Sequence, residues 1–305
     1  MSLARRVLRA AACALALGLG ADARAGIPVL CERHVEIDAA DQDRALRFAG
    51  AIKEVLERSG ATVALAARAG LDLSRFGLLY SHAGIALRDN PDGRWAVRQL
   101  YYACDESRPR LFDQGVAGFA LGADTPGRGH VALVFPTADD AAALERAALD
   151  KSLALSLLGG RYSANAYAFG TRFQNCNQWV AELMASAWGG LGGAGGDARV
   201  RAQSWLRTVG YATEPVRIPS HWMVFAGQFV PLVHIVDHPV EDLQALALHV
   251  SVPDTLAALV RARTPQARRV ELCHDRERIV VHHGWEPLGP ACTPLPGDEV
   301  IAFGS

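Results

Sequence analysis

Residues Phe173–Trp188 read FQNCNQWVAELMASAW, and both ends of a helix are marked within or next to them. Asn175 stands at an N-cap position, and Gln178, three residues on, can complete a capping box by bonding back to the Asn175 backbone. Val180, Leu183, Met184 and Ala187 recur at helical spacing, which predicts a single buried stripe. Gly189 and Gly190 stop the helix. Cys176 therefore takes the first helical position, where unpaired N–H groups and the positive end of the helix dipole favour a thiolate. The competing reading is an inert cysteine in an apolar core.

Upstream, Leu78–Arg88 (LLYSHAGIALR) reads as a strand, Asp89–Gly93 (DNPDG) as a turn and Arg94–Ala103 as the returning strand. His82 falls near the start of the first arm, with small neighbours Ala83 and Gly84 leaving room beside the imidazole. A lone strand histidine is more often structural than catalytic. With the turn centred near Pro91 and Asp92, His82 lies opposite about Tyr101. Gln99 is then one same-face step away, and a register shift of one brings Arg98 instead. Further strands are expected at Thr62–Ala67 and His130–Phe135, and helices at Asp38–Arg58, Ala198–Gly210 and from Ser251-Val-Pro-Asp254 onward. One more helix is expected from Thr137 to Leu158, capped by Thr137 with Asp140 at the box position. Tyr162, Tyr167, Phe169 and Phe173 mark Arg161–Gln174 as an aromatic loop leading to Cys176, and the glycines of Gly189–Gly196 predict a surface loop.

The chain opens with Arg5, Arg6 and Arg9, an apolar run from Ala10 to Gly20, and Ala23-Arg24-Ala25. This is the pattern of a secretory leader over residues 1–25, too short for a membrane span. The expected product is periplasmic or secreted and not membrane-spanning. The remaining ~280 residues can bury a sizeable core. Lysine and arginine number 31 against 32 acidic residues, with no basic stripe, which argues against nucleic acid as a partner. The organisation expected is a catalytic domain over 26–214 and a β-rich C-terminal extension over 215–305. Strands in that extension are expected at Val270–His274, Arg278–Trp285 and Glu299–Phe303.

Of the six cysteines, Cys13 leaves with the leader, and five remain. An odd number in an oxidising compartment leaves one thiol over. With Cys176 as that thiol, Cys273 pairs with Cys292 across a short loop, and Cys31 with Cys104 by elimination. Cys273, His274, His282, His283 and Cys292 could instead gather a zinc ion, but the compartment favours the disulfide. His234 and His238 have the spacing of a helical metal pair, yet Pro231 and Pro239 crowd that segment and no HExxH pattern occurs. No cofactor and no metal are expected.

A thiol nucleophile needs a base, and commonly a third polar group to orient it. Tyr80-Ser-His-Ala-Gly-Ile85 on a strand, followed by Asn175-Cys-Asn-Gln-Trp-Val-Ala-Glu182 opening a helix, resembles the circularly permuted branch of the NlpC-type papain-like fold. That branch includes lecithin:retinol acyltransferase-like enzymes, and the histidine precedes the cysteine, the reverse of papain. The whole mature chain also resembles an uncharacterised family of exported bacterial proteins. The papain-like, catalytic resemblance covers roughly Leu78–Trp188. It implies an α+β fold, with an antiparallel sheet packed on the cysteine-bearing helix, and Cys176, His82 and Gln99 as catalytic residues. It further implies a cysteine hydrolase or acyltransferase; the compartment favours peptidoglycan peptide amides as substrate, and the lipid-handling members of the branch make acyl lipids the other class. A non-catalytic binding or structural protein on the same scaffold is the alternative. Asn-Cys-Asn replaces the Asp-Cys-Ser usual in cell-wall peptidases of this fold. The Cys176 backbone N–H is the expected oxyanion donor, joined by Tyr80, Tyr162 or Tyr167.

Overall fold

The structure, a computed structural model, describes residues 38–121, 127–193, 197–211 and 213–304. The expected leader, Cys31 and residues 194–196 of the glycine-rich segment lie outside these. Helix α1 (Ala39–Arg58) begins where Asp38 accepts the N–H of Asp41 at 2.6 Å. It is followed by strands β1 (Val63–Arg68), β2 (His82–Leu87), β3 (Ala96–Ala103) and β4 (Arg108–Gln114), the short helix α2 (Val116–Leu121) and β5 (Gly129–Phe135). Then come α3 (Ala138–Leu149), α4 (Lys151–Ser156), α5 (Cys176–Trp188) and α6 (Ala198–Thr208). A two-residue strand β6 (Val216–Arg217) precedes α7 (His221–Gly227) and α8 (Val240–Ala245), and pairs with β7 (Ala247–Leu248). The chain ends with α9 (Pro253–Arg263), β8 (Arg268–His274), β9 (Arg278–His283) and β10 (Glu299–Ala302).

Eight strands form one antiparallel sheet in the order β10-β9-β8-β5-β1-β2-β3-β4. Its two faces are both covered. Leu65, Ile85 and Val134 pack with α3, α5, α6 and α9, whereas Ala66, Val97 and Leu133 pack with α1 and α2. Antiparallel sheets commonly leave one face to water and then alternate apolar with polar. Here β1, VALAAR, is buried along its whole length because helices lie above and below it.

Three expectations change in the structure. The β-rich tail is built into the main sheet, since β8 pairs with β5 from Gly129↔His274 to Phe135↔Arg268. This pairing supplies the apolar neighbour that β5, buried on both faces, requires on that edge. The helix expected over 137–158 is two helices. Asp150 adopts an extended ψ of 97° and caps α4 through the N–H groups of Ser152 and Leu153. Thr137 makes no side-chain cap, and Asp140 instead holds Arg263 and Thr264 of the far segment. The strand expected from Leu78 begins at His82, because Tyr80 turns inward to donate its hydroxyl to buried Glu271 at 2.6 Å.

Candidate active site

Helix α5 starts and stops where its residues require. The Asn175 side chain accepts the Gln178 N–H at 2.7 Å, and Gly190, at φ 60°, takes the left-handed turn after the last helical residues. The other half of the capping box is absent. Gln178 Nε2 instead donates into the loop before the helix, to Gly170 O at 2.7 Å and to the carbonyls of Tyr167 and Ala168. Nor is there a single buried stripe, for every residue from Cys176 to Ser186 is buried. The helix lies between the sheet and α3, α6 and α9, so its polar residues face protein in every direction. Asn177 answers by donating to Ser81 O at 3.2 Å, which ties the start of α5 to the start of β2.

His82 and Gln99 are brought together. His82 Nε2 meets Gln99 Oε1 at 2.7 Å, and Gln99 Nε2 donates to Gln114 Oε1 at 2.8 Å. An amide oxygen only accepts, so Nε2 carries the ring proton and Nδ1 keeps its lone pair. The hairpin register, Ile85↔Arg98 through Leu87↔Ala96, extrapolates to His82 opposite Tyr101, and the two rings are 4.8 Å apart. Gly84 is required here. A Cβ at that position would meet Val97 Cγ1 at 2.6 Å, Arg98 O at 2.8 Å and Gln99 Cβ at 3.0 Å, displacing the glutamine from the histidine.

Cys176 meets β2 one residue further on. Strand alternation turns His82 toward Phe119 of α2, at 6.2 Å between rings, while Ala83 faces α5 and its N–H favours the Cys176 thiolate. No hydrogen bond joins His82 to Cys176 among the described residues. Cys176 is free, whereas Cys273 and Cys292 form a disulfide with Cα atoms 5.7 Å apart. Cys104 is also disulfide-bonded, and Cys31, its expected partner, lies outside the described residues.

The electrostatics describe a neutral pair at rest. Burial pushes the Cys176 thiol up to about 11, against the opposing pull of the Ala83 N–H, the Arg68 charge and the first N–H groups of α5. Burial likewise drives His82 down to about 3, Arg68 adds to this, and the Gln99 bond opposes it. Arg68 thus acts on both groups. It ends β1, donates to the Tyr101 hydroxyl at 2.5 Å and lies over Phe119 at 5.6 Å. The sequence marks Arg68 only as the one charge in an otherwise apolar strand. Of the three tyrosines weighed as oxyanion donors, Tyr80 is held by Glu271. Tyr162 is raised by burial and then by the charges of Cys176 and Tyr101, which keeps it a neutral phenol beside the thiol. Tyr167 is raised by burial and by Asp242.

The depressed histidine carries a pH consequence. Above about pH 6.5 His82 is neutral in both folded and unfolded chains and contributes no difference. Below it the unfolded chain takes the proton first, so stability falls as pH drops from 6.5 toward the folded value of about 3. The full loss is about 5 kcal/mol. Urea midpoints measured from pH 7 to pH 4 should fall steeply in wild type and less in His82→Gln. Equal slopes would show that acid sensitivity arises elsewhere.

The remaining candidate groups have other partners. His234 stacks on Phe173 at 4.4 Å, His238 Nε2 contacts Asn165 O at 2.7 Å, and neither residue lies in a helix. His282 Nδ1 is held by Asp298 at 2.6 Å. Among the described residues no group of three or more His, Cys, Asp or Glu is placed to hold a metal ion, and no helix is long and apolar enough to cross a membrane.

A family model described as an uncharacterised protein conserved in bacteria, DUF2145, matches residues 55–260. No curated protein and no solved structure matches the chain.

Proposed function

We infer that this chain, which belongs to the bacterial family DUF2145, is an exported cysteine hydrolase or acyltransferase with a permuted papain-like site. The observation that carries the reading is the His82 Nε2–Gln99 Oε1 bond at 2.7 Å, which holds the imidazole with Nδ1 unprotonated one residue from where Cys176 meets β2. Gln99 is a positioning residue. It fixes tautomer and ring orientation, and it gives no charge to stabilise an imidazolium.

In the proposed reaction the imidazole comes within hydrogen-bond reach of Sγ, and Nδ1 of His82 takes its proton as the sulfur attacks the acyl carbon. The carbonyl electrons move to oxygen, and the oxyanion accepts the Cys176 N–H at the head of α5, with the Tyr162 phenol as second donor. Collapse expels the amine or alkoxide, which receives the proton from His82 and leaves an acyl-thioester. Water, or an acceptor hydroxyl or amine, then gives a proton to His82 and displaces the thiolate, which takes that proton back to restore the neutral pair. With the resting groups near 11 and 3, the proton moves together with the attack rather than before it.

Export and the leader-like opening favour peptidoglycan peptide amides as substrate. A scaffold without turnover is the second reading, favoured by the burial that holds Cys176 as a neutral thiol. Labelling the mature protein with an acyl-mimicking thiol-reactive probe and mapping the modified peptide separates the two. Modification confined to Cys176 and lost in Cys176→Ala is expected. A folded wild-type protein that resists the probe as well as Cys176→Ala does would leave only the scaffold.

A further inference from the structure

Helix α7 carries large aromatic rings that stand open to solvent. Not one residue of α7 is buried, and Trp222, Phe225 and Phe229 are 71%, 48% and 74% exposed. They form a row, with successive ring centroids 5.3 Å apart. From Ile218 to Val236 the chain carries no Asp, Glu, Lys or Arg. A contiguous exposed apolar patch of this kind marks a contact surface, because water makes its exposure unfavourable.

The segment is anchored to the loop that leads into α5. Leu232 O accepts the Ala164 N–H at 2.8 Å, the His234 N–H reaches Ser163 Oγ at 3.0 Å, and Asn165 Nδ2 donates to His234 O at 2.9 Å. On that loop Arg161 and Arg172, both exposed, lie over the Phe173 ring at 4.7 and 5.6 Å. Neither forms an ion pair with a carboxylate among the described residues. The uncharged segment that bears the exposed rings is thus hydrogen-bonded, through Leu232 and His234, to the loop that carries two cations lacking an ion pair among the described residues.

We propose that this face docks on an anionic phospholipid surface. Trp222, Phe225 and Phe229 enter the headgroup–acyl boundary, where large aromatic side chains are favoured, and Arg161 and Arg172 meet lipid phosphates. The seven residues of α7 lie on such a surface and do not span it. Charge selects this occupant over a second copy of the chain. A two-fold contact through the patch would bring the same unpaired guanidiniums toward each other. The docking does not depend on thiol chemistry, although Arg161 adjoins Tyr162 and so borders the Cys176 site.

Flotation of the mature protein with phosphatidylcholine vesicles, with and without a third of phosphatidylglycerol, tests it. Binding should require the anionic lipid and weaken in high salt. It should weaken about fivefold for each of Arg161→Gln and Arg172→Gln, and by at least about tenfold in Trp222→Ser/Phe229→Ser. Thermal unfolding checks that each variant is folded, and Cys176→Ala should float as wild type does, which separates this result from the fate of the hydrolase reading. Absence of flotation, or flotation that all these variants retain, overturns the proposal. Sedimentation showing a dimer that Trp222→Ser/Phe229→Ser dissociates, with no vesicle binding, would assign the patch to a second copy.

Discussion

Glu182→Ala should lower the unfolding free energy by about 3–5 kcal/mol, the cost typical of stranding one partner of a buried ion pair. Glu182 is fully buried in the middle of α5, and burial raises its carboxyl against the opposing pull of Arg199 and its amide partners. Arg199 of α6 holds both of its oxygens, at 2.8 and 3.0 Å, and Gln203 and Gln174 each donate at 2.6 Å. Arg199 also donates to the carbonyls of Gly170, Thr171 and Phe173. Removing the carboxylate would leave a buried guanidinium uncompensated and loosen the loop that sets Cys176 at the helix start. Glu182→Leu/Arg199→Met should recover part of the loss, with those three carbonyls still lacking their donor. Urea unfolding at pH 7 gives the values. A shift below about 1 kcal/mol for Glu182→Ala would show that the cluster contributes little to stability.

His82→Ala should slow alkylation of Cys176 at neutral pH by about 10²-fold, a usual contribution of a positioned base. A thiol near 11 with no base reacts only through its thiolate, so its rate falls tenfold for each pH unit below that value. With His82 taking the proton, the wild-type rate should lie above that line near pH 7 and rejoin it as the thiol ionises. The variant should follow the line throughout. Gln99→Ala should fall between them, since the imidazole remains but is free to turn. The readout is iodoacetamide reaction at Cys176 against pH. Coincident wild-type and His82→Ala curves would sink His82 as the base and leave the chain as a binding scaffold.

Both results depend on features of different origin. Asn175 and Gly189 bracket α5 through local capping, and the five-residue turn DNPDG sets how many residues separate the hairpin arms. From that count alone His82 falls opposite Tyr101 and a same-face step from Gln99, which is the pair the structure joins. Cys273 and Cys292 were legible for a similar reason, since a short intervening chain with prolines brings them back together. Arg68 was not legible. Nothing within VALAAR says which residues will stand beside its last side chain, and Tyr101, Phe119 and the Cys176 helix arrive from three separate elements.

The chain's own residues thus determined the helix that bears the thiol, the hairpin that bears the histidine, and the partner of that histidine, because each follows from geometry within a few neighbouring residues. Only tertiary packing decided that α5 is enclosed on all sides, that β8 joins β5 from more than a hundred residues away, and that the thiol and imidazole are neutral at rest. Local periodicity records which face of an element is apolar, but desolvation depends on everything packed around it, and that sum exists only when distant segments have met.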